Sequence, residues 1–192
     1  MTFKVNGYGR SLERYFETHL PPLSANARVL DAGCGTGLLT MALLRSTARP
    51  LRITAMDLSA SSLTAAREYV TAQERTHARG AARFAQANLL QLPFADESFE
   101  LVVTSGALEY VSLAAGFAEL ARVIAPGGHL VHLPVRPSFP SKVLELLFRF
   151  KTHPPAEVSG HTRRYFHILN EHHFAFPEPI GWTKLAILSQ KR

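Results

Sequence analysis

The stretch Val29-Leu30-Asp31-Ala32-Gly33-Cys34-Gly35-Thr36-Gly37 constrains this chain more than any other. A short apolar run, Arg28 to Leu30, breaks into three glycines within five residues, and a helix-like run, Leu38 to Arg45, follows. The pattern reads as a strand, a tight turn and a helix start. Glycine serves where the backbone takes positive φ or must approach a ligand closely. The helix that opens beyond the turn offers N–H groups and a positive dipole end to an anionic group. Asp31, at the end of the strand, can accept hydrogen bonds from an ammonium or steady the turn. A glycine turn that merely lets a helix pack on a strand has the same local pattern, so the rest of the chain must decide.

The neighbouring segments continue the alternation. The first strand is expected at 27–32 and the first helix after it at 36–46. Leu51 to Asp57 reads as a second buried strand ending in an acid, and Ser59 or Ser61 can cap a helix over 60–77, whose apolar face carries Leu63, Ala66 and Val70. In an open α/β sheet Asp57 then sits at the tip of the neighbouring strand, beside the glycine turn, where it can take both ribose hydroxyls of an adenosine; a helix-capping acid is the alternative. Residues 82–87 make a third short strand. Phe99 to Thr104 is a continuous apolar run, the mark of a strand covered on both faces. Leu113 to Val123 is an amphipathic helix, and 124–133 reads as a turn and a fifth strand. Strand–helix repetition predicts a doubly wound parallel α/β sheet.

The ligand class rests on finer pattern. A dinucleotide turn, Gly-x-Gly-x-x-Gly, would place its third glycine at position 38, which is Leu38, so an NAD-linked oxidoreductase is disfavoured. Asp-x-Gly-x-Gly-x-Gly, running from Asp31 to Gly37, instead resembles motif I of the class I S-adenosylmethionine-dependent methyltransferases. Asn88-Leu89-Leu90-Gln91-Leu92-Pro93-Phe94, with Asp96 and Ser98-Phe99-Glu100 after it, resembles a second segment of that family, and Ile124-Ala125-Pro126-Gly127-Gly128-His129-Leu130 a third. The resemblance covers about residues 28–133 and is nearest to the small-molecule, type 11-like group. It implies a Rossmann-like, mostly parallel seven-stranded sheet with helices on both faces and an antiparallel last strand. It implies S-adenosylmethionine as cofactor, with S-adenosylhomocysteine as product. The cofactor positions carried over are Asp31, Gly33, Cys34, Gly35 and Gly37 in the turn, then Asp57 and Leu58. At the adenine end they are Asn88 and Leu89, with Asn88 in place of the commoner Asp. Ser105 and Gly106 would lie under the methionine portion. A leading helix over Ser11 to Leu20 would cover the cleft, so Tyr8, Arg10 and Tyr15 either border the site or simply pack.

The acceptor is less legible. Past the fourth strand the family often carries Leu-His-His; here the run is Leu108-Glu109-Tyr110. Glu109 is then either a catalytic base or a helix N-terminal acid. Further base candidates are His132, near the end of the fifth strand, and His161 and Tyr165, in a segment resembling the start of the family's last helix. Residues 141–151 form a strongly apolar helix that packs on the sheet, covers a hydrophobic substrate or touches lipid. Strands at 174–176 and 183–189 would close the sheet as a hairpin. His167 and Glu171, four apart on an expected helix, have a metal-ligand spacing but no companion motif, so no metal is expected.

Composition narrows the classes. A single cysteine excludes an internal disulfide, and no uncharged apolar run reaches a membrane span. No secretory signal is evident at the N-terminus, and a cytoplasmic location is expected. The net charge of +6 is concentrated late, with nine Lys/Arg against four Asp/Glu between Arg136 and Arg192. This is a solvated basic surface or a face for an anionic substrate or membrane; no nucleic-acid motif accompanies it. One domain is expected: a cap at 1–26, a cofactor-binding core at 27–133, and acceptor-side helices with a terminal hairpin at 134–192. The expected function is methyl transfer to an O, N or C atom of a small-molecule acceptor, a hydrophobic natural product or quinone-like compound. The alternatives are a phospholipid-headgroup acceptor, with peripheral membrane contact, and a partner subunit that binds the cofactor without turnover.

Overall fold

The structure is a computed structural model that describes residues 6–77, 80–137, 141, 145–147, 150–174, 180 and 183–192. The chain runs α1 (Asn6–His19), β1 (Ala27–Ala32), α2 (Leu38–Ser46), β2 (Leu51–Asp57), α3 (Ala60–His77), β3 (Gly80–Gln86) and β4 (Phe99–Ser105). After a 3-10 turn at Leu108–Tyr110 come α4 (Leu113–Val123), β5 (Ile124–Leu133), α5 (Pro155–Tyr165), β6 (Phe166–His172) and β7 (Ala186–Lys191). The strands form one sheet in the order β3-β2-β1-β4-β5-β7-β6. β1 to β5 are mutually parallel, while β7 runs antiparallel to both neighbours. This is the expected doubly wound α/β architecture.

Period-two alternation assigns each face. Val29, Leu101, Val103, Val131 and Leu133 point to one side, where Leu12, Phe16, Leu39 and Leu43 of α1 and α2 cover them. Leu30, Val102 and Leu130 point to the other, against Phe117 and Leu120 of α4 and Val158 of α5. β4, read as doubly covered, is the middle strand of the seven. Glu100 at its start accepts from Ser24 Oγ at 2.7 Å, tying β4 to the entry of β1. Arg122 of α4 bonds Glu119, Asp96 and the carbonyls of Leu92 and Phe94, so the 92–96 loop hangs from α4.

One buried carboxylate joins β1 to α2. Asp31 is fully buried, and its Oδ2 accepts from Thr40 Oγ1 at 2.5 Å. Burial is the main cause that pushes its pKa up, to about 7; bonds from the Thr40 side chain and backbone oppose the shift and the charge of Asp57 adds to it. Gly37 caps α2 at φ 84°, and a Cβ there would stand 3.2 Å from Ala66 and Val70 of α3.

The C-terminal third departs from expectation. The helix ends at Tyr165, where the last helix was expected to begin, and 166–172 forms edge strand β6. Its sequence hides this, because an exposed edge needs no apolar alternation; its Leu169 is 52% exposed. His167 and Glu171 therefore lie on a strand, about 13 Å apart along it at roughly 3.3 Å per residue, not on adjacent helical turns. β7 begins at Ala186 rather than 183, and of the strand expected at 174–176 only buried Phe174 is described. In the apolar helix expected at 141–151, Ser141 and 145–147 are helical, and 142–144 and 148–149 lie outside the described residues. The leading helix starts earlier than expected, at Asn6.

Two outcomes follow for stability. Gly37→Ala puts a side chain into left-handed backbone and against α3, and urea unfolding is expected to show a loss of about 2 kcal/mol or more. A raised Asp31 pKa means that its contribution is present below about pH 4 and is lost as pH rises toward about 7. Buried His132, held down at about 3 by burial, has the opposite slope below its ordinary value. The two mask each other in the parent chain. Asp31→Asn should therefore gain on the parent by up to about 1.4 kcal/mol per pH unit between pH 4 and 7, a difference that paired melts across that range will show.

Candidate functional site

Sheet order reverses between β1 and β4, and the chain leaves these two strands in opposite directions. That switch point opens a crevice beyond the C-terminal ends of β1, β2 and β4. The crevice has a volume of about 670 Å³ and is lined by Gly33 and Gly35, by Asp57 and Leu58, by Asn88 and Leu89, and by Ser105 to Ala107, with Tyr110 and Val111 at one end.

The glycine turn is built from the inside. The N–H groups of Gly33 and Cys34 both donate to the Met56 carbonyl, at 2.9 and 2.8 Å, and Gly35 N–H donates to Asp57 Oδ2 at 2.8 Å. Gly33 has φ 80°, and any Cβ there would collide with Ala107. A Cβ at Gly35 would meet nothing within 4 Å, so this glycine faces open space. Gly37 and Cys34 face away from the crevice: Gly37 against α3, and Cys34 into a cluster with Ala55, Leu63 and Ala66. The expected offer of N–H groups to an anion is narrowed: the amides of Gly33, Cys34 and Gly35 are spent on Met56 and Asp57, that of Gly37 on the Cys34 carbonyl, and the Thr40 amide on Asp31. A pyrophosphate would meet carboxylates here, which disfavours a dinucleotide on electrostatic grounds.

Asp57 braces the entry to α3 and lines the crevice. Its Oδ1 accepts from Ser59 N–H at 2.9 Å, and Ser59 Oγ in turn accepts from Ser62 N–H at 3.2 Å, so Ser59 caps α3. Each carboxylate oxygen keeps a lone pair, and the residue lines the crevice. Leu58 beside it is 66% exposed, an apolar surface against which a flat ring can lie. Asn88 Oδ1 accepts from Leu90 N–H at 3.0 Å and so shapes its own turn. Asp31 does not line the crevice, and its Oδ1 is buried with no hydrogen-bond partner among the described residues.

Three of the four proposed bases lie elsewhere. His132 points to the α4 face because its parity on β5 is that of Leu130; its ring meets Phe117 edge-on and both ring nitrogens are buried without partners. His161 stacks on the same Phe117 at 6.3 Å, and Tyr165 packs against Phe166. None of the three lines the crevice. Glu109 does not line it either, but its neighbour Tyr110, at the crevice end, does; Glu109 is 6% exposed and accepts from Val135 N–H through Oε1, while Oε2 is buried with no hydrogen-bond partner among the described residues. It lies in the first turn of the short 3-10 helix, as the helix-terminal reading expected, but it is buried rather than solvated.

Two further residues stand at that end. The Tyr8 hydroxyl on α1 bonds the Ser105 side chain and feels Glu109, and burial pushes its pKa up to about 12. Tyr15 and its helix-mate Arg10 do not border the crevice; Tyr15 packs with His19, His172 and Phe174. Lys184, which the sequence reading passed over, is 8% exposed, donates to the Leu133 carbonyl at 3.2 Å and sits 3.2 Å from where a Cβ on Gly106 would stand. Its signal was present: a lysine just before the apolar run Leu185 to Leu188. Among the described residues no cluster of His, Cys, Asp and Glu could hold a metal ion, and no helix is long and apolar enough to cross a membrane.

Comparison with known proteins agrees with this geometry. The chain is 34% identical over 158 residues to a demethylmenaquinone methyltransferase of Lactiplantibacillus plantarum, covering 75% of this chain and 65% of that one. It is 32% identical to a fatty-acid O-methyltransferase of Mycolicibacterium smegmatis, covering 71% and 46%. The chain thus spans just under two thirds of the first relative and less than half of the second. The fold is that of geranyl diphosphate C-methyltransferase from Streptomyces coelicolor, solved with S-adenosyl-L-homocysteine, at a TM-score of 0.76 and 16% identity over 95% of this chain and 76% of that one. Residues 29–128, more than half of the chain, match the family described as "Methyltransferase domain", and with the strand order and glycine turn above the chain belongs to that family.

Proposed function

We propose that this chain binds S-adenosylmethionine in the crevice and transfers its methyl group to a small, largely apolar, quinone-like acceptor. The crevice carries the reading: it brings Asp57, Leu58, Asn88 and Ser105 to one edge of the sheet, around a turn whose Gly33, Cys34 and Gly35 amides are already spent on Met56 and Asp57. The residues fit the cofactor. Asp57 has lone pairs for two ribose hydroxyls, Leu58 and Leu89 offer apolar surface to adenine, and Asn88 can read its amino group. The unpartnered Oδ1 of Asp31 is an acceptor suited to an ammonium. When bound, the sulfonium supplies an activated methyl group, so the protein's part is to hold the acceptor in line and manage any proton. For the proton we retain Glu109 alone of the four candidates.

The acceptor side is apolar. Tyr110 lines the crevice, its ring lies 5.9 Å from that of Phe150, and nearby Leu146 and Leu147 are 84% and 67% exposed. Relatives named for demethylmenaquinone and fatty acids support a hydrophobic acceptor. The same exposed leucines favour a second reading, a lipid acceptor at a membrane surface, given the late excess of basic residues.

Calorimetry with S-adenosylmethionine and S-adenosylhomocysteine tests the proposal. Asp57→Ala should weaken both by roughly 10- to 100-fold, the scale of lost hydrogen bonds to a charged group, and Asp57→Asn by less. Preference for NADH, or no binding by the parent chain, would overturn it; binding with no methylated product from a quinol and fatty-acid panel would leave a cofactor-binding partner subunit. Vesicle flotation separates the acceptor readings. A lipid acceptor predicts flotation with phosphatidylglycerol vesicles that is lost in the double variant Leu146→Asp, Leu147→Asp, whereas a small acceptor predicts none.

A further inference from the structure

A donor and an acceptor are left half-used at the Ser105–Ala107 end of the crevice. Glu109 Oε1 is committed to Val135 N–H, but Oε2 is buried with no hydrogen-bond partner among the described residues. A buried carboxylate oxygen left unpaired is expensive, and native interiors seldom keep one without a use. Lys184 Nζ has three donors, and the structure gives it one bond, to the Leu133 carbonyl. The chain places both on one side of the sheet. Lys184 pairs with Val135 just beyond the β5–β7 ladder and shares the parity of Ala186 and Leu188, which face α1 and α2. The Lys184 ammonium also abuts Gly106, which lines the crevice, 3.2 Å from where a Cβ on that glycine would stand. No ion pair joins Lys184 to Glu109 among the described residues, although the Glu109 charge acts on Lys184.

We infer that Lys184 and Glu109 together read an acidic hydroxyl on the acceptor, of phenol or enol type, with Lys184 donating to the hydroxyl oxygen and Glu109 Oε2 accepting its proton. The inference rests on the methyl-transfer reading and names the acceptor chemistry. The step balances as a proton transfer. The acceptor's O–H bond breaks, its electron pair stays on the acceptor oxygen, and the proton forms an O–H bond at Glu109 Oε2. The Lys184 ammonium holds the resulting oxyanion, which is nucleophilic at oxygen or at a conjugated carbon. Either partner alone is a poorer reader: without Lys184 the oxyanion is buried uncompensated, and without Oε2 the proton has no place to go. The groups facing Lys184 fit this division. Glu109 is the anion, Tyr8 borders from α1, and His132, with His153 beyond it, faces from the α4 side. Burial holds the Lys184 pKa down, at about 8, and the Glu109 charge limits the fall, so the amine carries most of its charge at neutral pH.

Two measurements test this, both on the whole chain. The first uses protein with 13C-labelled lysine; the five lysines give few enough Cε signals for Lys184→Met to identify Lys184. Its midpoint should lie about two pH units below the ordinary lysine value and fall further in Glu109→Gln, which keeps an acceptor for Val135 but reverses the second position. A midpoint in the ordinary range, or one unmoved by Glu109→Gln, would overturn the pairing. The second measures binding of 1-naphthol and 1-methoxynaphthalene in the presence of S-adenosylhomocysteine. The naphthol should bind at least 10-fold tighter than its ether, and Lys184→Met and Glu109→Gln should each cut that ratio to about 2-fold while changing S-adenosylhomocysteine affinity less than 3-fold. Equal binding of the two compounds by the parent chain, or a ratio that survives both variants, would sink the inference while leaving the cofactor reading intact. Loss of S-adenosylhomocysteine binding by the parent chain would instead remove the reading on which it stands. If neither naphthalene binds, the lysine titration decides.

Discussion

The bond between Asp31 and Thr40 is the constraint on which the rest depends. It fixes the end of β1 to the first turn of α2 inside a protein interior, where a carboxylate is costly to hold. The glycines between the two elements let the chain make that connection in five residues, 33–37. Because Asp31 faces α2, the turn can curl back onto β2, spend its amides on Met56 and Asp57, and leave Gly35 against open space. The crevice is what remains outside that curl. The Asp57 carboxylate at the tip of β2 lines it and holds the Gly35 amide.

The core of this arrangement was legible because its signals are local. Asp31 to Gly37 specifies a turn by glycine chemistry, β4 shows its double burial as an unbroken apolar run, and Asp57 follows from where strands end in such a sheet. The adenine end was legible at the level of residue identity; Asn88 proves also to brace its own turn, which spacing does not reveal.

The acceptor end was legible only in part, for a physical reason. A catalytic assignment depends on which way a side chain points, and one residue's parity on β5 is enough to send His132 to the α4 face instead of the crevice. Histidine drew attention because it titrates near neutrality, yet three aromatic and helical contacts account for His132, His161 and Tyr165 as packing groups. Glu109 follows β4 and Lys184 precedes β7, two strands away; the long-range pairing of Val135 with Lys184 brings their neighbourhoods together, and no local pattern encodes that meeting. The edge strand β6 was missed for a related cause: it needs only one covered neighbour, so its sequence carries no alternation.

The reversed direction of β7 has a consequence of its own. In the parallel strands the tip at the crevice edge is the last residue; in β7 it is the first. Lys184, two residues before that tip, meets the Leu133 carbonyl and Gly106, so this end of the crevice is shaped by residues entering a strand, whereas the glycine turn is shaped by residues leaving one.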